Sequence, residues 1–273
     1  MSIQISQQAR DLLLDIATCN TFCNFRAQND LDIPCQKILF DQVEQGITDR
    51  QLPIPWHGDI EKAPILFVSS NPGIDSKEYH ASLSWINNEN GIEDFYVNRF
   101  EPDRQWTRKG LYIRLLPETP ITYRKYWTRY WATTWKLTKL ILQTENIMPG
   151  RHCAITEIVH CKSNGERGVE EAKDECVKRY LNRIFNLASA KIIVLLGKHA
   201  TEIMSKEYKL NIVVATEKKA ALNHSTITHI GNIERLVVAI PAPNNRGTRG
   251  LTWLKQSEKD NLFKWGKKAV VDL

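Results

Sequence analysis

The stretch that decides the fold is Pro64-Ile-Leu-Phe-Val-Ser-Ser-Asn-Pro-Gly-Ile-Asp75. Its apolar residues run directly into polar ones, a pattern typical of a buried parallel strand that ends in a tight turn. In open α/β folds, ligands bind just beyond the carboxyl ends of such strands. The pattern therefore places Asn71 where chemistry usually occurs, although a purely structural turn accounts for Asn-Pro-Gly about as well.

Two later stretches repeat the pattern of an apolar run that ends in polar residues. They read Ala154-Ile-Thr-Glu-Ile-Val-His-Cys-Lys162 and Ala190-Lys-Ile-Ile-Val-Leu-Leu-Gly-Lys-His-Ala200. Strands that alternate with helical segments predict a doubly wound parallel sheet with helices on both faces. We therefore expect an α/β fold, a three-layer α/β/α sandwich around a four-stranded, mainly parallel sheet. The strands are expected at 64–70, 152–159, 191–197 and 235–240.

The remaining segments predict helices, short strands and one long insert. The stretch from Val169 to Leu187 separates apolar from charged residues as a surface helix does. Two short runs, Asn211–Thr216 and Ser225–Ile230, are β-like. No repeat, linker or low-complexity tract appears, so we expect a single domain over 1–273. The long stretch between the first two strands predicts an insert at about 76–135 that covers the site.

The composition is that of an ordinary soluble globular protein. The 273 residues are 42% hydrophobic and 25% charged, and no run of about 18 apolar residues predicts a membrane span. No basic segment followed by a long apolar stretch marks a secretory signal, so we expect a cytoplasmic protein. The formal charge of +6 is compatible with a polyanionic partner but does not require one.

The segment from Arg104 to Lys139 interleaves cationic and aromatic side chains. Cations hold phosphates and flat rings stack on exposed bases, so this segment is a candidate DNA-binding surface. Three tryptophans spaced by four predict one buried helical stripe instead: Trp127, Trp131 and Trp135. We expect the segment from Tyr123 to Tyr126, with Arg124, and also Arg129 to form the DNA-facing rim.

The order of these motifs resembles the uracil-DNA glycosylase superfamily, and the nearest pattern is that of its iron–sulfur branch. In that branch a Thr-Asn-Val-Val-Lys-Cys run precedes a Glu-rich helix with another Cys and then a Val-Ile-x-Leu-Gly strand. The turn Ile240-Pro-Ala-Pro-Asn-Asn-Arg246 resembles the last motif of the superfamily, His-Pro-Ser/Ala. The likeness covers roughly residues 8–30, 62–77 and 152–250. It implies excision of a base from DNA, with no obligatory protein partner evident.

The six cysteines favour a metal site or burial over disulfides, because no secretion signal is present. Four thiolates suit zinc or an iron–sulfur cluster. The resemblance implies a 4Fe–4S cluster with a structural role, whose ligands would be Cys19, Cys23, Cys161 and Cys176. Three residues, rather than two, separate the first pair, and plain buried thiols remain the alternative. Cys35 and Cys153 are expected to be free.

By the same resemblance, Asn71 matches the residue that holds the attacking water. An asparagine has no basic group, so catalysis must come mainly from activation of the leaving base. Backbone N–H groups from Ser70 to Gly73 are expected to bind O2 of the base. Asp75 is a nearby carboxylate that can assist the water.

Glu157 stands where the relatives have the asparagine that reads uracil. A carboxylate cannot donate to O4 of uracil, whereas it accepts well from the N4 amine of cytosine. A protonated Glu157 would donate to N3 while it accepts from N4, and burial raises the pKa of a carboxyl. The alternative is that Glu157 points elsewhere, for example to a salt bridge.

A second departure is Ile240, which stands where the family has the histidine that stabilises O2 of the leaving base. Pro241 and Pro243 are expected to keep this turn rigid. The wedge that enters the duplex when the base leaves would be formed by Asn244, Asn245 and Arg246. For stacking on the flipped base, Trp85 is closest to the expected position, and Tyr79 is the second candidate.

The sequence therefore predicts a monofunctional glycosylase for a modified base, one that leaves an abasic site. Some divergent superfamily members resemble this chain and remove modified cytosines from phage DNA, so glucosylated hydroxymethylcytosine is the leading expected substrate. A housekeeping uracil or deaminated-base glycosylase would share the fold. A non-catalytic DNA-binding or sensing module and an iron–sulfur electron carrier are the alternatives from other classes.

Overall fold

A computed structural model describes residues 2–25, 33–116, 119–243 and 251–271 of the chain. Its strands are Trp56–His57 (β1), Ile65–Ser69 (β2), Thr107–Arg108 (β3), Tyr112–Leu115 (β4), Thr122–Tyr123 (β5), Cys153–Glu157 (β6), Ile192–Leu196 (β7), Ser225–Ile230 (β8) and Ile233–Ile240 (β9). Its α-helices are Gln7–Ala17 (α1), Asn20–Asn24 (α2), Gln36–Glu44 (α3), Glu89–Val97 (α4), Arg129–Leu142 (α5), Val169–Cys176 (α6), Asn182–Leu187 (α7), Lys198–Tyr208 (α8) and Gln256–Val271 (α9).

The main sheet has six strands in the order β1-β6-β2-β7-β9-β8. The four inner strands pair in parallel, as the sequence predicts. The expected number of strands is wrong, because an antiparallel strand is added at each edge. One is the two-residue β1, and the other is β8, which forms a hairpin with β9. The run Asn211–Thr216 is not a strand of this sheet.

The register of the parallel strands brings their carboxyl ends to one edge. Ser69 at the end of β2 lies opposite Glu157 at the end of β6. Leu196 at the end of β7 lies opposite Ile240 at the end of β9. The turns that follow these four strands therefore meet at the same edge, where open α/β sheets bind their ligands.

Both faces of the sheet are covered, which confirms the three-layer α/β/α arrangement. Alternate residues of a strand point to opposite faces. Leu66 and Val68 of β2 pack on the side of α1, α3 and α6 to α8. Ile65 and Phe67 pack on the side of α5 and α9.

The chain between β2 and β6 contains α4, a small three-stranded sheet (β3-β4-β5) and α5. Trp131 and Trp135 of α5 are buried and pack edge-on against Phe100, with ring centroids 5.2 and 4.7 Å away. The prediction that Trp127 belongs to the same buried stripe is wrong, since its side chain is 59% exposed. The helix begins only at Arg129, so Trp127 does not share its periodicity.

The helical run predicted from Val169 to Leu187 is present, with one departure. A π-helical turn, Val177–Leu181, separates α6 from α7. Such turns widen the helix by one residue and are frequent at functional sites. None of the helices in the described ranges combines the length and the apolar character that crossing a bilayer requires. The organisation as one domain with an insert stays a prediction.

Candidate active site at the carboxyl ends of the strands

Asn71 lies in the turn after β2, with its side-chain amide held from two directions. Its Nδ2 donates to Ser163 Oγ at 2.9 Å and to the Pro72 carbonyl at 3.1 Å. The two hydrogens of an amide nitrogen are thereby used. The Oδ1 atom remains as the acceptor, which is the atom that can hold a water molecule through one of its hydrogens.

The turn after β2 and the loop after β6 lie side by side. Ser163 N donates to the Pro72 carbonyl at 3.1 Å, and Gly73 and Ser163 form an isolated parallel bridge. Gly73 is exposed, and a Cβ built on it would meet nothing within 4 Å. The backbone here is therefore open to a bound group, as the predicted role of Ser70 to Gly73 requires.

Asp75 is engaged by the segment between β2 and β6. Its carboxylate forms an ion pair with Arg124 and accepts from the backbone N–H of Lys77 at 3.1 Å. Its carbonyl accepts from Gln51 Nε2 at 2.8 Å. Arg124, one of the predicted DNA contacts, thus ties the end of β5 to the turn of Asn71. Asp75 therefore has a structural contact beside its predicted catalytic role.

Glu157 ends β6 and is 6% exposed. The Ser69 hydroxyl donates to its Oε2, and Ser69 Oγ also lies 2.8 Å from the Tyr130 hydroxyl of α5. Within the described residues Glu157 forms no salt bridge, so the alternative of an ion-paired Glu157 is not supported. Sequence reasoning missed Ser69 and Tyr130.

The surroundings of Glu157 favour its neutral form. Burial raises the pKa of this carboxyl from 4.5 to about 8, although the hydrogen bond from Ser69 acts in the opposite direction. Burial also raises the pKa of Tyr130, and the nearby Glu157 raises it further. At neutral pH the pair is therefore a carboxylic acid and a phenol, which can both donate hydrogen bonds.

Two further polar side chains, Glu166 and His199, lie beside the turn after β2 and also escaped the sequence analysis. The Ser70 hydroxyl donates to Glu166, whose other carboxylate oxygen lies 3.5 Å from Nε2 of His199. His199 is in the first turn of α8, directly after β7. The glycine-rich loop Ser163-Asn-Gly-Glu-Arg-Gly168 was the available signal, because such loops commonly line sites.

The turn after β9 packs closely against the turn after β7. Gly197 N donates to the Ile240 carbonyl at 2.8 Å, and Gly197 has a φ of +94°. A Cβ at this position would lie 3.3 Å from the Cβ of Ala242, so glycine is needed for both the backbone angle and the space. Pro241 and Pro243 lie in this turn. The predicted wedge residues lie outside the described residues: Asn244, Asn245 and Arg246.

The two predicted stacking residues belong to one aromatic cluster. The rings of Tyr79 and Trp85 have centroids 5.8 Å apart, and Tyr79 stacks on Trp106 at 6.0 Å. The Arg114 guanidinium lies 4.0 Å from the centroid of Tyr79. Tyr79 is buried inside this cluster, whereas Trp85 is partly exposed. Their role in stacking stays a prediction.

A surface of exposed rings and cations lies before α5. Tyr126 is 70% exposed and Trp127 is 59% exposed. Lys125 and Arg129 are exposed beside them, and Arg124 is 38% exposed within its ion pair with Asp75. We refer to these five residues as the aromatic rim. Its composition is that of a surface for single-stranded or distorted nucleic acid.

Five of the six cysteines come together on the face of the sheet that α1, α3 and α6 cover. A small surface pocket is lined by four of them, together with Tyr180 and Arg179 of the π-helical turn. These four are Cys19, Cys35, Cys161 and Cys176. Cys23, which the resemblance implies as a ligand, is close enough for its charge to raise the pKa of Cys161. Cys35 was expected to be free, yet it takes a place on the pocket wall.

The thiols suit a soft metal in their chemistry but are not arranged around one position. Among the described residues no group of three or more His, Cys, Asp or Glu side chains is set to hold a metal ion. The Cys176 thiol instead donates to Cys35, which lowers the pKa of Cys35 and raises that of Cys176. Burial raises the pKa of Cys161. Four soft sulfur donors at one pocket nonetheless match the donor set of an iron–sulfur cluster.

The fold and the site define an α/β sandwich whose polar, partly buried candidate residues meet where a parallel sheet ends. The chain belongs to the uracil DNA glycosylase superfamily, because the model of that family matches residues 55–264. The matched range includes Asn71 and Glu157. Membership confirms the resemblance at the level of the superfamily and indicates a DNA glycosylase activity in general, with DNA as the partner. None of the curated proteins matches the chain.

Proposed function

We propose that the protein is a monofunctional DNA glycosylase that removes a cytosine derivative and leaves an abasic site. The observation that carries the proposal is the buried, uncharged Glu157 at the end of β6, beside the turn of Asn71. We further propose that it acts in the cytoplasm on modified phage DNA. Glucosylated hydroxymethylcytosine is the substrate we regard as first choice.

In the proposed reaction the bond between C1′ of the sugar and N1 of the base breaks as a water molecule attacks C1′. The flipped nucleotide places C1′ near Asn71, whose Oδ1 accepts a hydrogen bond from the water. Both amide hydrogens of Asn71 are already used, so Oδ1 is the atom that faces the water. Because an amide has no basic group, it orients the water without taking its proton. The main lowering of the barrier must then come from the departing base.

Glu157 supplies that activation. Its proton passes to N3 of the cytosine ring while its other oxygen accepts from the exocyclic N4 amine. The base leaves as a neutral molecule, and the water, having given hydroxide to C1′, returns its proton through solvent to Glu157. Since the pKa of Glu157 is about 8, the acid form is available at neutral pH.

The aromatic rim provides contacts to the DNA around the flipped nucleotide. Arg129 and Lys125 are exposed cations that would contact phosphate oxygens, and Tyr126 and Trp127 have exposed rings that would stack on bases. The ion pair between Arg124 and Asp75 joins this surface to the turn of Asn71. Phosphate binding and base excision are thereby linked in one continuous surface.

We also propose that the cysteine pocket holds a 4Fe–4S cluster with a structural role. Cys19 precedes α2, Cys161 lies in the loop after β6, and Cys176 ends α6. A bound cluster would connect the N-terminal helices to the sheet. The convergence of five thiols at one side of β6 supports this proposal. The cluster has no part in the proposed bond cleavage.

Abasic-site formation on matched duplexes tests the proposed activity. The duplexes carry uracil, cytosine, hydroxymethylcytosine or glucosylated hydroxymethylcytosine at one position. We expect the modified cytosine to be excised much faster than the other bases, with slow but measurable excision of uracil, and this activity to be lost in Asn71→Ala and Glu157→Asn variants that still bind DNA. Uracil excised as fast as the modified cytosine would support a housekeeping glycosylase and contradict the role of Glu157.

The exposed aromatic rim also favours a second candidate, a module that binds DNA without cleaving it. This candidate predicts retention of every duplex in a binding assay and no abasic sites on any. Asn71→Ala would then change neither measurement. The same set of duplexes therefore separates the two functions.

A further inference from the structure

The hydroxyl groups of Tyr130 and Ser69 form a chain that ends on Glu157. Ser69 Oγ lies 2.8 Å from the Tyr130 hydroxyl and contacts Oε2 of Glu157. Ser69 and Glu157 are adjacent partners in the register of β2 and β6, whereas Tyr130 belongs to the first turn of α5. This chain of hydrogen bonds thus joins β2, β6 and α5 at the base of the candidate site.

The direction of the hydrogen bonds in this chain follows from its two ends. Each hydroxyl has one hydrogen to donate. If Tyr130 donates to Ser69 and Ser69 donates to Glu157, every hydrogen has a partner. In the reverse direction the hydrogen of Tyr130 would need another acceptor, and no hydrogen bond from Tyr130 to a further described residue exists. Tyr130 is half-buried as a residue, but its hydroxyl lies in buried surroundings, where a donor without a partner costs about 1–3 kcal/mol.

The favoured direction determines where the proton of neutral Glu157 resides. Oε2 accepts from Ser69, so the acidic proton is on Oε1. None of the described residues forms a hydrogen bond to Oε1, which leaves this oxygen for a bound molecule. The carboxyl therefore presents one donor, at Oε1, and one acceptor, at the free lone pair of Oε2.

The position of that proton distinguishes between two classes of pyrimidine. The edge of cytosine has an acceptor at N3 and a donor at N4, whereas the edge of uracil has a donor at N3 and an acceptor at O4. A neutral carboxyl can pair with either edge, but the two require the proton on opposite oxygens. In the proposed reaction the protonated oxygen faces N3 of the base. A proton held on Oε1 then matches cytosine, whose N3 accepts, and not uracil, whose N3 donates.

We propose that Tyr130 and Ser69 are specificity-determining positioning residues, which hold the proton of Glu157 on Oε1 and so select 4-amino over 4-oxo pyrimidines. This inference rests on the proposed function. Tyr130 acts through Ser69, and Ser69 acts through Glu157. Neither residue needs to touch the reacting bond.

The same chain has a measurable effect on the pH dependence of excision. Among the described residues, Tyr130 on α5 is the titratable group that faces Glu157, and Cys153 at the start of β6 acts in turn on Tyr130. Burial raises the pKa of both Tyr130 and Cys153, so both stay neutral. The hydrogen bond from Ser69 lowers the pKa of Glu157. Its removal is expected to raise that pKa, so the loss of activity with increasing pH moves to higher pH.

The test compares Tyr130→Phe and Ser69→Ala with the wild type on duplexes that differ only in a modified cytosine or uracil. The measured quantity is the ratio of kcat/KM for the two, over the pH range from neutral to alkaline. We expect the ratio to fall about tenfold in each variant, the discrimination that one hydrogen bond provides. In Ser69→Ala the alkaline limb should also move to higher pH.

The matched control is Tyr208→Phe, which removes a tyrosine hydroxyl with a 2.8 Å hydrogen bond to Asn182 from the far end of α8. It should leave the ratio and the pH profile as in the wild type. A wild-type ratio in both Tyr130→Phe and Ser69→Ala would overturn this inference alone. Absence of cleavage by the wild type on every duplex would overturn the proposed function, and this inference with it.

Discussion

Lys162 Nζ donates to Glu78 Oε2 at 2.7 Å, and both side chains are almost fully buried. Glu78 also pairs with Arg99, which is 1% exposed. Burial alone would raise the pKa of Glu78, yet the charges of Lys162 and Arg99 hold it below its ordinary value. Lys162 directly precedes Ser163, the partner of Asn71. This buried pair therefore connects the segment after β2 to the loop that orients Asn71.

Glu78→Gln is expected to destabilise the protein severely. The substitution leaves Lys162 and Arg99 without a counter-charge inside the protein, which typically costs about 3–5 kcal/mol of the free energy of unfolding. Chemical denaturation measures the loss. Glu145→Gln is the control, because Glu145 pairs with Lys139 at the surface with its side chain 88% exposed and should not change stability measurably. Equal stability of the two variants would contradict this account of Glu78.

Ser163→Ala is expected to slow excision without weakening DNA binding. The Ser163 hydroxyl accepts from Nδ2 of Asn71, so its loss frees the amide to rotate and to misplace the water. Loss of one such orienting hydrogen bond should lower kcat about tenfold. Single-turnover excision with saturating enzyme checks this. Ser205→Ala, which removes a hydroxyl on α8, is the control, and an unchanged rate in Ser163→Ala would contradict the orienting role.

The central sheet could be predicted because its inner strands are apolar runs that end abruptly in polar turns. The edge strands were harder to predict. β1 has only two residues, too few for a pattern, whereas Ser225–Ile230 was predicted as a short β-like run and forms β8. Its mostly half-buried or exposed side chains did not indicate that it pairs with β9 in the main sheet. Trp127 was misplaced because spacing alone does not tell where a helix begins.

The candidate site was predicted in part for a similar reason. Asn71 became a candidate because it follows an apolar run, and Glu157 because it stands where the resemblance places a base-reading residue. The structure puts both at the carboxyl ends of parallel strands. Tyr130 lies 61 residues from Ser69, and its contact depends on how α5 packs across β2. Cys35 joins the cysteine pocket through the position of α3. Such long-range contacts are a property of the tertiary packing, which local spacing does not encode.

Trp127→Ala is expected to affect DNA binding, whereas Trp131→Ala is expected to affect stability. Trp127 is 59% exposed and Trp131 is 7% exposed. Trp127→Ala should weaken DNA binding about tenfold, as loss of one stacking ring does, with the stability unchanged. Trp131→Ala should lower the free energy of unfolding by about 3–5 kcal/mol. Fluorescence anisotropy with labelled DNA and thermal unfolding measure the two effects. Unchanged affinity in Trp127→Ala would exclude the aromatic rim from DNA binding.

Cys35→Ser is expected to reduce bound iron as strongly as Cys161→Ser, and more than Cys23→Ser. Cys35 and Cys161 both line the pocket, whereas Cys23 is not on its wall. Protein purified without oxygen should show iron and sulfide bound in a cluster by absorption spectroscopy and metal analysis. Cys153→Ala is the control, because Cys153 is buried on the opposite face of the sheet. Full iron content in Cys35→Ser would mean that Cys23, and not Cys35, is the fourth ligand.

Glu157→Gln is expected to abolish excision and yet to stabilise the fold at alkaline pH. Below pH 4.5, the ordinary pKa, the carboxyl is neutral in both the folded and unfolded states. Between 4.5 and about 8 the unfolded chain releases the proton and the folded chain keeps it. The free energy of unfolding therefore falls as the pH rises through this window, by at most about 5 kcal/mol at 1.36 kcal/mol per unit.

Glutamine cannot ionise, so Glu157→Gln should lose this part of the pH dependence. Urea denaturation just above pH 4.5 and again near pH 8 compares the two proteins. The stability of the wild type should fall more between these conditions than that of the variant. Parallel declines would mean that Glu157 ionises in the folded protein as it does in the unfolded chain. Such a carboxylate would have no proton to give to a departing base at neutral pH.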